Sequence, residues 1–125
     1  MKHQVLLLTF LLLFTYIGKA QILEFNPAFP NINDVVTITY DATQGNAALV
    51  GQSQIYCHAG LITSTSTSPT NWQFVQGNWG TVDPQVAMTN IGNNKHTITI
   101  DIDQFYGFPA GTSVLQFAFV FRTAN

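Results

Sequence analysis

The chain has 125 residues, of which 46% are hydrophobic and only 8% are charged, and its formal net charge is −2. This length predicts one domain with a modest core. The scarcity of Lys and Arg excludes nucleic acid as a partner, since phosphate backbones are bound by clustered cations, and disfavours an anionic membrane surface for the same reason.

The first 20 residues have the pattern of a secretory signal peptide. A short basic start precedes the apolar run 5–16, and small residues lead to an expected cleavage between Ala20 and Gln21. The alternative is a membrane anchor, but the run is shorter than the roughly 20 apolar residues that a helical span needs. We therefore expect a secreted or cell-surface protein that has no membrane contact after cleavage, with residues 21–125 as its mature domain.

The next part of the chain predicts short strands separated by turns. Residues 21–24 form a candidate first strand, and the β-branched stretch 35–40 alternates as a half-buried strand does. Its core-facing residues are Val36, Ile38 and Tyr40. Residues 41–46 predict a turn.

Residues 53–59 predict a third strand, continued to residue 63 after a bulge at Gly60. Alternation places Tyr56 and His58 on one face and Cys57 on the other. A lone cysteine excludes an internal disulfide. We predict that Cys57 is a small buried residue, with a reactive or intermolecular thiol as the alternative.

The second half predicts three further strands and one helical turn. A short strand at 72–75 is followed by a hairpin with arms 86–91 and 96–102, whose loop at 92–94 supplies the positive φ angles that such loops require. Residues 103–107 predict one helical turn. Six or seven short strands with turns between them favour an immunoglobulin-like β-sandwich, with a small barrel as the alternative.

The stretch 114–122 predicts the last and most apolar strand. Its apolar residues occupy consecutive positions, a pattern that belongs to a strand covered on both faces or lying in the middle of a sheet. We therefore expect that its partner strand is missing from this sequence and that a larger protein continues beyond it.

No catalytic constellation is visible in the sequence. A zinc site would require the fold to bring His58 and His96 together by chance. Asp101 and Asp103 lie two apart on the predicted strand and have the residue type of a glycosidase pair, although solvated charge is the preferred interpretation. Motifs for a nucleophile elbow or a phosphate loop are missing. We expect a non-catalytic module without a cofactor or metal.

Aromatic side chains offer the remaining chemistry, because sugars stack their C–H faces on aromatic rings beside polar groups. The candidate ligand-binding residues are Trp72, Trp79, Tyr56, His58 and Gln73, with Tyr106, Gln76 and Asn78 as further members of such a platform. Tryptophans in small sandwiches usually fill the core. We expect a core position for each tryptophan, with ligand contact as the alternative.

Ordered segments of the chain resemble one module family. Residues 55–63 resemble a strand of pattern Tyr-x-His-(Thr/Ser/Ala)-Gly-Val-(Ile/Val)-Thr, and 72–80 resemble Trp-x-Tyr-Val followed by Trp-Gly, with Phe74 replacing the tyrosine. The match continues through 29–43, 91–96, 105–110 and 117–125. The chain thereby resembles the N-terminal accessory module of secreted bacterial α-amylase-type and related glycan-degrading proteins that carry type IX secretion tails.

This resemblance implies an immunoglobulin-like domain similar to starch-binding modules, without catalytic residues and with an α-glucan as its ligand. It implies Trp72 and Trp79 as the binding aromatics. In that family one more strand follows the segment corresponding to 122–125, so we expect a C-terminally incomplete module that further domains follow in the parent chain.

Two other functions stay open at this point. One is a structural spacer or protein-interaction domain that binds no sugar, and the other is a small hydrolase that uses Asp101 or Asp103. An exposed tryptophan pair beside amide side chains would favour sugar binding, whereas two buried tryptophans would favour the spacer.

Overall fold

A computed structural model describes residues 21–125 as two antiparallel β-sheets packed face to face. The strands are β1 (Leu23–Asn26), β2 (Val35–Asp41), β3 (Tyr56–Thr63), β4 (Gln73–Gln76), β5 (Thr89–Gly92), β6 (Lys95–Asp101) and β7 (Val114–Arg122). The predicted signal peptide lies outside the described residues. No helix between residues 21 and 125 is long and apolar enough to cross a membrane.

The strand order confirms the predicted sandwich. The first sheet runs β1-β2-β6-β5 and the second β4-β3-β7. These orders are those of an immunoglobulin-like domain, in which strands A, B, E and D face C, F and G. Strand β4 extends the second sheet beside β3, and β7 takes the F position. Within the described residues, no strand occupies the G position beside β7.

The core lies between the sheets and follows the alternation in the sequence. The side chains of β2 and β3 that belong to the buried core cluster are Val36, Ile38, Tyr40, Cys57, Ala59 and Leu61. The single cysteine is buried as predicted, and burial raises the pKa of its thiol to about 12. The thiol therefore stays protonated at neutral pH, which excludes the reactive-thiol alternative.

Several element boundaries differ from the sequence-based expectation. Strand β3 begins at Tyr56 rather than at residue 53, and the first hairpin arm begins only at Thr89. The reason is a 3₁₀ turn at Pro84–Val86, after which Ala87 forms a bridge to Tyr56 in the opposite sheet. The chain thus crosses between the sheets where a continuous strand was expected. The expected irregularity at Gly60 lies in the pairing of β3 with β4.

The hairpin loop and the helical turn confirm the local predictions. Gly92, Asn93 and Asn94 all have positive φ angles, between 54° and 87°. Helix α1 (Ile102–Tyr106) ends at Gly107, whose φ is 67°, and begins at Asp101, whose carboxylate accepts a hydrogen bond from the Gln104 backbone N–H.

The prediction that Asp101 and Asp103 share one face of a strand is wrong. Asp101 caps α1, whereas Asp103 lies in the first turn of that helix. The two side chains therefore do not share one strand face, because the chain has already turned into a helix between them.

The partner strand expected beside β7 is not among the described residues. Strand β7 pairs with β3 on one side only, and Leu115 and Val120 are exposed. Its inward row of Phe117, Phe119 and Phe121 is half-buried. The most apolar strand of the domain is thus an open edge.

Candidate functional site

The outer face of the second sheet carries most of the aromatic side chains that were predicted to bind a ligand, together with one arginine. The β3–β7 register places three residue pairs on this face: Tyr56 with Arg122, His58 with Val120, and Gly60 with Ala118. Because facing residues of paired strands project to the same side, this register builds one continuous surface.

Trp72 lies flat on the outer face at Gly60. A Cβ atom at Gly60 would lie only 2.9 Å from Trp72 Cε3 and 3.0 Å from Trp72 Cβ, so the indole occupies the space that a side chain would fill. Trp72 is half-buried there and is outside the core between the sheets. The expectation of a core position is therefore wrong for this residue.

Trp79 is 60% exposed, so the core expectation is wrong here too. The guanidinium of Arg122 lies over its indole, with Cζ 5.6 Å from the ring centroid, and also over Tyr56 at 5.1 Å. Its Nη2 donates to the Asn78 carbonyl at 2.5 Å and its Nη1 to the Thr123 carbonyl at 2.8 Å. Arg122 is only 4% exposed. The indole is thus contacted by a buried cation and remains more than half exposed to solvent.

Asp83 fixes the loop that presents Trp79. Its carboxylate accepts hydrogen bonds from the Asn78 backbone N–H at 2.7 Å, from Asn78 Nδ2 at 3.1 Å and from the Gln85 N–H at 3.1 Å. The bond from the Asn78 N–H is the main reason that the pKa of Asp83 is lowered, with the charge of Arg122 adding to it. The carboxylate therefore stays ionised at neutral pH, and its three hydrogen bonds tie Asn78 to Gln85 across the loop.

His58 lies between the two indoles. Its ring centroid is 5.4 Å from that of Trp79 in an edge-to-face arrangement and 6.1 Å from that of Trp72. Burial lowers the pKa of His58, and the nearby charge of Arg122 lowers it further. The imidazole is thus neutral at pH 7 and acts as part of the aromatic surface, which we call the Trp platform: His58, Trp72 and Trp79.

The fold brings together four of the five candidate residues, namely Tyr56, His58, Trp72 and Trp79. Three of them form the Trp platform, and the fourth supports it from below. Tyr56 is 5% exposed beneath Arg122, so it supports the platform and does not contact solvent. Gln73 begins β4, and its side chain donates to Asn71 Oδ1 at 2.9 Å, away from the loop of Trp79. Tyr106 is 2% exposed and belongs to the core, so its expected place in a platform is wrong.

Sequence reasoning missed Arg122 and Asp83. Arg122 is one of only two basic residues after position 20, and it follows an aromatic strand, which is a weak signal for a cation–π contact. Its partner lies 44 residues earlier in the chain. The contact between Arg122 and Asn78 becomes visible only in the folded structure, where β7 lies beside β3.

A polar groove of about 540 Å³ lies elsewhere, along β6 next to α1 and the 3₁₀ turn. Its polar walls include Gln85, Thr99, Asp101 and Gln104, and its aromatic member, Phe105, is half-buried. We nevertheless place the candidate site at the platform, because a stacking site for sugars needs an accessible aromatic face and not volume.

The two histidines and the carboxylates of the described residues lie apart from one another. Between residues 21 and 125 there is no group of three or more His, Cys, Asp or Glu side chains that could hold a metal ion. His58 faces outward from the second sheet, whereas His96 is fully buried in the first. The fold therefore does not join the two histidines.

Replacing Gly60 with Ala is expected to displace Trp72 and to lower the free energy of unfolding by about 1–3 kcal/mol, as overpacking does. The clash involves Trp72 Cβ, which cannot swing away as a flexible chain end can. In a Trp72→Ala background the same change should cost little, and urea unfolding of the four proteins measures this coupling. Equal costs in both backgrounds would contradict the contact.

Comparison with known proteins gives a family match. A family described as "Domain of unknown function (DUF8578)" matches residues 23–125, which include all seven strands. No curated protein matches the chain. Because the family description names no activity, the function has to be argued from the platform.

Proposed function

The chain belongs to the DUF8578 family, and we propose that its domain is a non-catalytic carbohydrate-binding module for an α-glucan of the starch type. We propose further that it is secreted or displayed at the cell surface as an accessory module of a glycan-degrading protein, whose other domains carry out the chemistry. The observation that carries the proposal is the 60% exposed indole of Trp79.

The held orientation of Trp79 supports this proposal physically. Arg122 covers one face of the indole, so a pyranose ring has only the opposite face to stack on. The Asp83 contacts fix the loop, and a ring that is already in place loses little conformational freedom on binding. Trp72 offers a second aromatic surface on the same side of the sheet. Two such rings suit an extended chain of sugar units better than one small molecule.

A second candidate is the protein-interaction or spacer domain. Exposed Val75 and Val82 lie on β4 and on the loop after Trp79, which adds apolar surface near the platform. Exposed apolar patches commonly mark protein contacts. The two functions differ in one measurable property, because only the first requires retardation of the protein by a soluble glucan.

The test is native electrophoresis in gels that contain soluble starch. We expect retardation with a Kd between millimolar and tens of micromolar, or about −4 to −6 kcal/mol. Trp79→Ala should weaken binding at least tenfold, about 1.4 kcal/mol, with an unchanged far-UV circular dichroism spectrum. The matched control is Phe29→Ala, which removes a 94% exposed ring from the loop between β1 and β2.

Wild-type protein that migrates equally with and without starch would favour the interaction domain. Equal weakening by Trp79→Ala and Phe29→Ala would show that binding does not depend on the platform.

A further inference from the structure

The polar groove along β6 exists because β5 covers only part of that strand. In the β5–β6 register Thr89 is opposite Thr97, so a longer β5 would place Ala87 opposite Thr99. Ala87 instead forms its bridge with Tyr56 in the other sheet. The two segments therefore diverge beyond the Thr89–Thr97 pair, and the groove is the wedge between them.

This divergence leaves backbone groups of β6 without a strand partner. The Ile102 N–H donates to the Asp34 carbonyl, so the even-numbered residues of β6 direct their backbone groups toward β2 and the odd-numbered ones toward the opposite side. Thr97 meets β5 on that side. In the part of the chain that the structure describes, no backbone group pairs with the N–H or the carbonyl of Thr99, or with the N–H of Asp101. Three polar backbone groups thus open into the groove.

The side chains around the groove add further polar groups and one aromatic ring. Gln85 is exposed on the 3₁₀ turn, and its Nε2 donates to Gln76 Oε1 at 2.6 Å, which orients the amide. Gln104 is exposed on α1. The half-buried ring of Phe105 is held edge-to-face against Tyr106, with centroids 4.9 Å apart. The groove thus combines convergent polar groups with an apolar surface, as small-molecule sites do.

The charge and shape of the groove decide which class of ligand it fits. Among the residues that line it, Asp101 alone is charged, so the lining offers no cation to a phosphate or a carboxylate. The Thr89–Thr97 pair closes one end, which prevents an extended peptide from continuing along β6. The volume of about 540 Å³ lies within the range of about 300–1,000 Å³ that is usual for small-ligand sites. The groove therefore fits a compact, neutral ligand that both donates and accepts hydrogen bonds.

We propose that this groove is a second saccharide site, which binds one or two glucose units and is separate from the Trp platform. Sugar hydroxyls both donate and accept, so they match the backbone groups of Thr99 and the amides of Gln85 and Gln104. The C–H face of the sugar ring lies against Phe105. The platform is on the outer face of the second sheet, whereas the groove follows β6 in the first. The choice of glucose units rests on the proposed function, and the position of the site rests on the groove itself.

The experiment is a titration with maltose, followed by two-dimensional amide NMR spectra of the nitrogen-15-labelled protein. It is carried out on the wild type and on Trp79→Ala, which removes the exposed indole of the platform. We expect the backbone amide signals of Thr99 and Asp101 to shift in a saturable way in both proteins, with a millimolar Kd.

Substitutions in the groove test the side chains. Gln85→Ala and Gln104→Ala should each weaken the binding that is measured at Thr99 about fivefold, because each removes hydrogen bonds to the sugar. The matched control is Gln52→Ala, an exposed glutamine in the loop before β3 that does not line the groove, and it should bind as the wild type does. Circular dichroism and urea unfolding establish that the variants are folded.

The possible outcomes separate the groove from the platform. Unshifted Thr99 and Asp101 signals at tens of millimolar maltose would overturn the proposal, and so would shifts that disappear in Trp79→Ala, since they would then originate at the platform. Shifts with trialanine but not with maltose would assign the groove to a peptide instead.

The indole N–H signal of Trp79 reports on the proposed function independently. If this signal shifts with maltose while Thr99 does not, the platform stands and the groove proposal is overturned. If Thr99 shifts while the indole signal of Trp79 does not, the saccharide site in the groove is supported and the result counts against the platform.

Discussion

Replacing Arg122 with Ala is expected to lower the free energy of unfolding by about 2–4 kcal/mol and to release Trp79 from its position. Two hydrogen bonds from a charged group contribute about 1.5–3 kcal/mol each, and each cation–π contact adds about 0.5–1 kcal/mol. The cost of burying the guanidinium offsets part of this sum. The side chain joins β7 to the Asn78 carbonyl and to the rings of Tyr56 and Trp79, so no smaller residue can replace it.

Urea unfolding measures the stability, and acrylamide quenching of tryptophan fluorescence measures the release of the indole. Arg122→Lys is expected to be intermediate, since an ammonium keeps the charge but cannot reach both carbonyls in the planar geometry of a guanidinium. Lys95→Ala is the matched control, because Lys95 is the other basic residue after position 20 and is exposed. If Arg122→Ala lowers the free energy of unfolding by less than about 1 kcal/mol, the contacts of the guanidinium do not stabilise the fold as proposed.

The same variant separates positioning from direct contact with the ligand. Arg122 is almost inaccessible, so a sugar stacked on the outer indole face does not touch it. Under the proposed function, Arg122→Ala should weaken glucan binding through disorder of Trp79, while Arg122→Lys should recover part of it. A variant that binds as the wild type does would show that Trp79 holds its position without the cation.

Local patterns predicted much of the fold. The alternation of Val36, Ile38 and Tyr40, the positive φ angles of the hairpin loop and the stop of α1 at Gly107 are properties of a few neighbouring residues, and the structure confirms each of them. The limits of β7 are also as predicted. Such features depend on steric preference and side-chain period, which a single sequence contains.

Features that depend on distant residues were predicted poorly. Both tryptophans were predicted to lie in the core, because tryptophans in small sandwiches usually fill it. Trp79 stays outside because Arg122 supplies a desolvated cation beneath it, and Trp72 stays outside because Gly60 leaves a flat surface for it. The start of β5 was wrong for a similar reason, since Ala87 pairs with Tyr56 in the other sheet. Each of these outcomes depends on the register between segments far apart in the chain.

Acidification below about pH 6.5 is expected to destabilise the domain through His96. This side chain is 0% exposed, and within the described residues neither of its ring nitrogens has a hydrogen-bond partner. It lies between Tyr40 of β2 and Asn90 of β5. Burial therefore lowers the pKa of His96 in the folded state, whereas the unfolded chain has the ordinary value near 6.5.

The direction in which stability changes with pH follows from which state of the protein binds the proton. Between the folded and unfolded pKa values only the unfolded state binds the proton, so stability is complete above about pH 6.5 and falls below it by at most about 1.4 kcal/mol per pH unit. At pH 5 the loss from His96 is therefore at most about 2 kcal/mol. The lowered pKa of His58 adds a smaller loss of the same sign, because that ring is only partly buried. The carboxyls of Asp41 and Asp83, whose pKa values are also lowered, act only at lower pH.

His96→Leu isolates the effect of this one side chain. Leucine removes the titration and two unpaired buried nitrogens, so at pH 7.5 its stability should equal or exceed that of the wild type. Urea midpoints at several pH values should then show a flatter profile for His96→Leu, while the matched variant His58→Gln keeps most of the wild-type slope. A slope that survives in His96→Leu but disappears in His58→Gln would move the acid sensitivity from the core to the Trp platform. In that case sugar binding at the platform, and not only folding, would change between pH 7 and pH 5.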